Sequence, residues 1–173
     1  MFFGGDICRL RAVEPDDADM LYLWENDPEV WSVSGTSAPY SLDALRRFID
    51  EQQRGIYAAG GLRLVIETLR GEAVGAVDLF DFDPANLRAG VGILVYGREH
   101  RGRGYASDAL AAVERYARDV LHLHQLWCNV GADNAASLAL FGGAGYERAG
   151  VRRDWQRTSS GGFSDVIFMQ KML

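Results

Sequence analysis

The segment from Val91 to Leu121 constrains the fold more than any other part of the sequence. It begins as an apolar run with β character and ends with apolar residues at helical spacing. A short turn that contains Arg98, Arg101 and Arg103 joins the two parts. The sequence therefore predicts a strand that passes into a helix through a basic, glycine-containing turn.

This turn is suited to binding a phosphate. The first turn of a helix leaves backbone N–H groups without partners and carries roughly half a positive charge, so anions bind there. Gly102 and Gly104 have no Cβ that would keep a ligand away from the backbone. The three arginines also make a positive region in a chain whose net charge is -6. We therefore predict a site for a phosphate-bearing ligand.

Two common phosphate-binding motifs do not match the turn. A Walker A loop begins in the same way, with Gly97 and Gly102, but it continues with Lys and then Ser or Thr, where this chain has Arg103 and Gly104. The dinucleotide-binding fingerprint ends in a glycine, where this chain has Ser107, and that fingerprint follows a first strand. Nucleoside triphosphatases and Rossmann domains are therefore disfavoured.

The turn resembles the Arg/Gln-x-x-Gly-x-Gly/Ala signature of the GNAT family of N-acetyltransferases, with Arg101, Gly104 and Ala106 at the matching positions. In that family the consecutive amides of the turn hold the pyrophosphate of acetyl-CoA. The alternative that the turn only caps a helix stays open. The resemblance implies that the following residues bind the cofactor: Arg101, Gly102, Arg103, Gly104, Tyr105 and Ala106.

A second signature is Asn134-x-x-Ser137, which resembles the segment that opens the next helix in this family. There the Asn contacts the pantetheine arm of the cofactor or its surroundings, and the helix ends at a Gly-Phe/Tyr pair, here Gly145 and Tyr146. Asn is also a good helix N-cap, and the two roles are compatible. The opening and closing segments are similar to the branch that contains ribosomal-protein N-terminal and spermidine acetyltransferases.

The resemblance implies a mixed α/β (α+β) fold, with residues 1–173 as a single N-acetyltransferase domain. Its central twisted sheet would be mostly antiparallel, with six or seven strands, a splayed fourth and fifth strand pair, and flanking helices. We expect helices after Pro15 and Ser41 to cover a substrate pocket, and loops over 31–40 and 152–162. The strand-like runs are Ile7–Val13, Leu62–Leu69, Ala73–Phe82, Leu87–Val95, Gln125–Val130, Tyr146–Val151 and Phe163–Met172.

Composition excludes several classes of protein. The 173 residues are of one-domain size, with 48% apolar and 24% charged residues, as in ordinary globular proteins. A pI near 5.0 disfavours nucleic-acid binding. The sequence has no apolar run of membrane-spanning length and no signal-peptide pattern. Cys8 and Cys128 lack metal-ligand spacing, so we expect buried free thiols in a cytoplasmic protein without a metal.

The resemblance implies direct transfer of an acetyl group from acetyl-CoA, as co-substrate, to a primary amine. The pantetheine arm would lie along the fourth strand, whose matching end holds Leu94, Val95 and Tyr96, with a main-chain N–H near the thioester oxygen. Gly90 and Gly92 lie inside this strand, where glycine marks either a close approach of another group or simply a twist.

The acid and the base stay open. The family's tyrosine position is Phe141, which lies in the predicted cofactor site and cannot donate a proton, so Tyr146, Tyr105 or water would protonate the thiolate. The family's strand glutamate corresponds to Gly90. We predict Asp78 as the base, with a solvent-facing aspartate as the alternative; further candidates are His100, His122 and His124.

The acceptor is a small-molecule amine, a polyamine or a peptide N-terminus, and a homodimer stays open. Polyamine acetyltransferases tend to line the loop that corresponds to 31–40 with carboxylates, and this loop has none, which disfavours polyamines. Phe141 and Gly90 also leave open a non-catalytic acyl-CoA-binding or sensing domain. A phosphate-binding regulatory domain unrelated to CoA is a more distant alternative.

Overall fold

The computed structural model describes residues 3–158 and 160–173, and within them one sheet has the strand order β1-β2-β3-β4-β5-β6-β8-β7. Among the strands of these residues, only β5 and β6 pair in parallel. The seven longer strands confirm the predicted mixed, mostly antiparallel fold, and β1 adds a two-residue strand at one edge. The strands are β1 Phe3–Gly4, β2 Cys8–Ala12, β3 Leu62–Thr68, β4 Ala73–Asp83, β5 Arg88–Val95, β6 Gln125–Gly131, β7 Glu147–Arg157 and β8 Phe163–Met172.

Helices cover both faces of this sheet. Leu64 and Ile66 of β3 pack in one core with the long helix α5, whereas Val65 packs with α1 and α3 on the opposite face, because successive side chains of a strand alternate. Within the described residues, no helix is long and apolar enough to cross a membrane. The helices are α1 Ala18–Glu25, α2 Pro28–Ser34, α3 Leu42–Gln52, α4 Ile56–Ala59, α5 Tyr105–Asp119 and α6 Ala135–Gly143.

The helix α2 occupies part of the segment predicted as a loop. Asp27 and Pro28 end α1, but they also start the next helix: the Asp27 side chain caps it by accepting from Glu29 N at 2.8 Å, and Pro28 stands in its first turn. Gly35 ends α2 with a φ of 73°. The loop therefore begins only at Gly35. The side chains of Ser32 and Val33 lie outside the described residues.

The last hairpin also differs from the prediction. Strand β7 extends to Arg157 instead of ending at Val151, and its pairing with β8 shifts in register between Arg152 and Gln156. Because β7 is an edge strand with mostly exposed side chains, it lacks the apolar alternation that reveals a half-buried strand. Ser159, in the predicted polar loop, lies outside the described residues.

Strands β5 and β6 separate as predicted. They pair only from Arg88↔Gln125 to Gly90↔Trp127, and the rest of β5 has no partner on that side. A Cβ on Gly90 would lie 2.4 Å from Cε2 of Phe80, so the Phe80 ring fills the place of a side chain there. This contact leaves no room for a larger side chain at Gly90.

Candidate functional site

Two adjoining cavities lie at the separated strands. We call them the outer groove, of about 740 Å³, between the basic turn, the end of β5 and the start of α6, and the inner chamber, of about 220 Å³, between β5 and β6. Both cavities are lined by Ile93, Leu94, Asn134 and Ser137. A long ligand in the outer groove can therefore reach the chamber at these residues.

The outer groove contains a run of unpaired backbone donors. In the described part of the chain, the N–H groups of residues 102–107 make no hydrogen bond. Gly104 is the N-cap residue of α5, and no side chain caps the helix there. Gly102 and Gly104 have φ values of +72° and +84°, a left-handed conformation that glycine adopts without strain. Consecutive free amides at a helix start, with the positive end of the helix dipole, form a binding site for an anion.

Arginines and one carboxylate set the charge of the groove. Arg98 and Arg101 both line it, and so does Glu29 of α2. Arg98 Nη2 donates to Glu29 Oε1 at 2.5 Å, and Arg101 Nη2 lies 3.8 Å from Glu29 Oε2. The hydrogen bond from Arg98 lowers the pKa of Glu29, which therefore stays charged and acts as an internal counter-anion.

The inner chamber contains an ion triad that consists of Glu25, Arg63 and Asp78. Arg63 Nε and Nη2 donate to the two oxygens of Asp78 at 2.7 and 2.8 Å, and Arg63 Nη1 donates to Glu25 Oε1. The three residues belong to α1, β3 and β4, so this arginine ties the helical layer to the sheet beside the chamber.

Aromatic and apolar side chains form the other walls of the chamber. The Tyr96 ring stacks on Trp24 with centroids 4.1 Å apart. Burial, and then the charge of Glu25, raise the pKa of the Tyr96 hydroxyl. Cys128 and Phe141 also line the chamber, and burial raises the pKa of the Cys128 thiol to about 12. Both predicted free cysteines, Cys8 and Cys128, are buried and unpaired.

The predicted cofactor residues gather around the two cavities, with one exception. Arg103 is exposed and does not line either cavity. The capping role considered for Asn134 is present, because its side chain accepts from Ser137 N at 3.1 Å. The groove is lined by Val95, Arg101, Gly102, Gly104, Tyr105 and Ala106, the chamber by Tyr96 and Phe141, and both cavities by Leu94, Asn134 and Ser137.

The two predicted catalytic residues lie in different places. Asp78 lines the chamber, but each of its oxygens already accepts from Arg63. Tyr146 lies outside both cavities, against Phe141 with ring centroids 5.0 Å apart. Its buried hydroxyl has no hydrogen-bond partner among the described residues, and burial, followed by the charge of Glu114, raises its pKa.

Sequence reasoning missed Glu25, Arg63 and Glu29. A signal existed for Glu25, because it falls on the buried face of α1 with Ala18 and Leu21, where an acid is unusual. Arg63 similarly stands in the otherwise apolar start of β3. Glu29 had no comparable signal, since it looks like an ordinary acidic residue in the first turn of a helix.

The walls of the chamber also differ from the predicted pocket cover. Helices α1 and α2 contribute Glu25, Val30 and Ser34, whereas α3, which follows Ser41, contributes no lining residue among those described.

Among the described residues, no group of three or more His, Cys, Asp or Glu side chains could hold a metal ion.

Known proteins share this fold and sequence pattern. The sequence model of the Acetyltransferase (GNAT) domain matches residues 8–147. An uncharacterized N-acetyltransferase p20 from Bacillus licheniformis is 27% identical over 152 residues, which cover 86% of this chain and 83% of that protein. The match to the family spans both the basic turn and the Asn134 segment.

Solved structures agree with the sequence comparisons. The spermidine N-acetyltransferase from Vibrio cholerae, solved with CoA and spermine, superimposes with a TM-score of 0.86 at 22% identity and covers 95% of each chain. A GNAT-family acetyltransferase from Bacillus anthracis has a TM-score of 0.81 at 16% identity, covering 99% of this chain and 98% of that one. At such identities the likeness shows the fold, and together with the family match it means that the chain is an acetyltransferase of the GNAT family.

Proposed function

We propose that this chain acts as one domain that moves an acetyl group from acetyl-CoA directly to a primary amine. The observation that carries this proposal is the run of unpaired N–H groups at residues 102–107, next to a gap in the sheet. The amides would bind the diphosphate of the cofactor, and Arg98 and Arg101 would neutralise phosphate charge.

The two cavities would provide a path for the cofactor to the reaction site. From the outer groove the pantetheine arm would run along β5, past Leu94 and Val95, whose strand lacks a partner on the side of β6. The thioester would then lie where both cavities meet, near Asn134 and Ser137. A main-chain N–H of β5 would stabilise the oxyanion of the tetrahedral intermediate.

The chemistry needs no acyl-enzyme. The neutral amine attacks the thioester carbonyl, the C–N bond forms, and the C–S bond breaks to release CoA thiolate. Cys128, the thiol that lines the chamber, has a pKa raised to about 12 and is therefore a poor nucleophile at neutral pH. Direct transfer fits the chamber better than a covalent intermediate on this cysteine.

The proton steps use a carboxylate and water. Phe141 lines the chamber without a hydroxyl, and the raised pKa of Tyr96 makes it a weak donor. A thiolate with an ordinary pKa of about 8.5 can leave and take its proton from water. We assign removal of the amine proton to Asp78, which lines the chamber and is held in place by two hydrogen bonds from Arg63.

A titration and a turnover assay test this function. Calorimetry with CoA and with ADP should show that CoA binds more tightly, because only CoA has an arm that follows β5. Incubation with acetyl-CoA and a panel of primary amines should release free thiol, with acetylated amine in equal amount. Tight CoA binding without turnover on any amine would instead favour the sensing domain, and equal affinity for ADP and CoA would contradict the proposed path.

A further inference from the structure

The charged side chains of the inner chamber indicate which kind of acceptor it can bind. Among the residues that line it, the charged side chains are Glu25, Arg63 and Asp78, so two carboxylates surround a single guanidinium. All three are largely enclosed, with side-chain exposures of 11% for Glu25, 17% for Arg63 and 31% for Asp78. The chamber therefore carries a net negative charge that water screens poorly.

The hydrogen bonds show which of these groups is left to bind a ligand. Arg63 already donates from Nε, Nη1 and Nη2 to the two carboxylates. Glu25 accepts through Oε1, and its Oε2 accepts no hydrogen bond from any described residue. The residue as a whole is only 8% exposed. A carboxylate oxygen that no described donor occupies can accept a hydrogen bond from a ligand, which makes Oε2 of Glu25 an acceptor for a cationic ligand.

The size of the chamber limits the ligand further. Its volume of about 220 Å³ is below the range of about 300–1,000 Å³ that is usual for pockets enclosing whole drug-sized ligands. The walls include the Tyr96 ring, Phe141 and the backbone of β5 at Gly92. A slender aliphatic arm that ends in an ammonium group fits such a space, whereas a drug-sized molecule with several rings does not.

We infer that the inner chamber selects acceptors whose reacting nitrogen arrives as an ammonium on a slender chain without a nearby carboxylate, and that Glu25 makes the selecting contact. Arg63 is a positioning residue, because it holds both carboxylates in place. This inference rests on the proposed function and names its acceptor class.

The carboxylates of the chamber come from α1 and β4, outside the segment 31–40. The absence of acids from residues 31–40 disfavoured polyamines, but here the acids come from the end of α1 and from the middle of β4. The spermine-bound neighbour from Vibrio cholerae supports an amine of this charge type. A diamine is therefore a suitable probe.

The experiment compares two probes of matched chain length, 1,4-diaminobutane and 4-aminobutanoate. With the CoA-bound wild-type protein, we expect calorimetry to show at least ten-fold tighter binding of the diamine. Glu25→Gln should reduce this preference to less than three-fold, and Glu25→Asp should restore part of it. Glu51→Gln, which removes a carboxylate on the exposed face of α3, is the matched control and should keep the wild-type preference.

The readouts separate this inference from the proposed function. CoA affinity, measured on every variant, should stay within two-fold of the wild type, which also shows that Glu25→Gln folds. In the thiol-release assay, Glu25→Gln should raise KM for the diamine more than it lowers kcat. If the wild type prefers the diamine but releases no thiol, the proposed acetyl transfer is wrong, whereas the inference that Glu25 selects for an ammonium group stands. Equal binding of both probes to the wild type, or an unchanged preference in Glu25→Gln, would overturn the inference.

Discussion

The glycines of the basic turn act through backbone conformation. Gly104 has a φ of +84°, which an L-residue adopts only with strain, and a Cβ there would also lie 3.1 Å from Cδ1 of Ile7. At Gly102, whose φ is +72°, a Cβ would meet nothing within 4 Å. A substitution at Gly104 therefore moves the backbone that presents the free amides, and it cannot leave the local fold untouched.

We expect Gly104→Ala to weaken CoA binding at least ten-fold and to lower the free energy of unfolding by about 1–2 kcal/mol, because alanine disfavours positive φ. Calorimetry and urea denaturation measure the two effects. Gly60→Ala is the control, since Gly60 has a φ of +71° with open space around it and lies outside both cavities. The same loss of CoA affinity in both variants would show that the basic turn is not part of the CoA-binding site.

Tyr146 provides a second test at the residue scale. Its hydroxyl is buried, unpartnered among the described residues and outside both cavities, so we expect that it does not protonate the thiolate. We expect Tyr146→Phe to keep kcat within three-fold and to change the free energy of unfolding by less than about 1 kcal/mol, because no hydrogen bond is lost. A drop in kcat of ten-fold or more in the thiol-release assay would restore Tyr146 as the proton donor.

At the scale of elements, α2 touches both cavities. Its Glu29 lines the outer groove and pairs with the groove arginines, whereas Val30 and Ser34 line the inner chamber. Because Glu29 neutralises the arginines that phosphate would contact, the incoming cofactor must compete with this carboxylate. The same short helix would therefore contact the proposed cofactor through Glu29 and the proposed acceptor site through Val30 and Ser34.

Glu29→Gln should lower the Kd for CoA about two- to five-fold, since an exposed ion pair is worth little but the lost carboxylate also repels phosphate. Isothermal titration at low salt measures this effect, and added salt should shrink it. Glu99→Gln removes a charge from the basic turn at a residue that does not itself line the groove, so it controls for long-range charge. A Kd that is unchanged or higher in Glu29→Gln would show that Glu29 does not compete with the cofactor.

The sequence predicted the parts of the site that local patterns encode. The free amides at residues 102–107 follow from a glycine-containing helix start, and the cap at Asn134 follows from a short motif. The ion triad was not predicted, because Glu25 and Arg63 are separated by 38 residues and meet only when α1 packs beside the sheet. Such pairings depend on tertiary packing, which residue spacing does not reveal.

The whole molecule is held together in part by a second ionic cluster, at the start of the chain. Arg11 of β2 donates to both oxygens of Asp17, at 2.7 and 2.9 Å, and to Glu67 of β3 at 3.0 Å. Glu14 N also donates to Asp17, at 2.8 Å. This cluster joins the sheet to the turn that leads into α1, so its loss affects the packing of both.

The cluster predicts how stability depends on pH. Burial alone would raise the pKa of Asp17, but the hydrogen bonds from Arg11 and Glu14 outweigh it and lower this pKa below the ordinary 3.8. A carboxyl whose pKa is lowered by folding stabilises the native state above its unfolded pKa, and this stabilisation is lost as the pH falls through the folded value. The contribution of Asp17 should therefore be complete near neutral pH and should decline only below about pH 4.

We expect Asp17→Asn to lower the free energy of unfolding by about 1–3 kcal/mol at neutral pH, because it removes hydrogen bonds to a charged group. The difference from the wild type should shrink steadily below about pH 4, since protonated aspartic acid and asparagine are then equally uncharged. Urea denaturation at several pH values measures this difference in the free energy of unfolding. Asp43→Asn is the control, because the exposed Asp43–Arg47 pair should contribute less than about 0.5 kcal/mol. A difference that stays constant or grows on acidification would mean that Asp17 acts through packing and not through its charge.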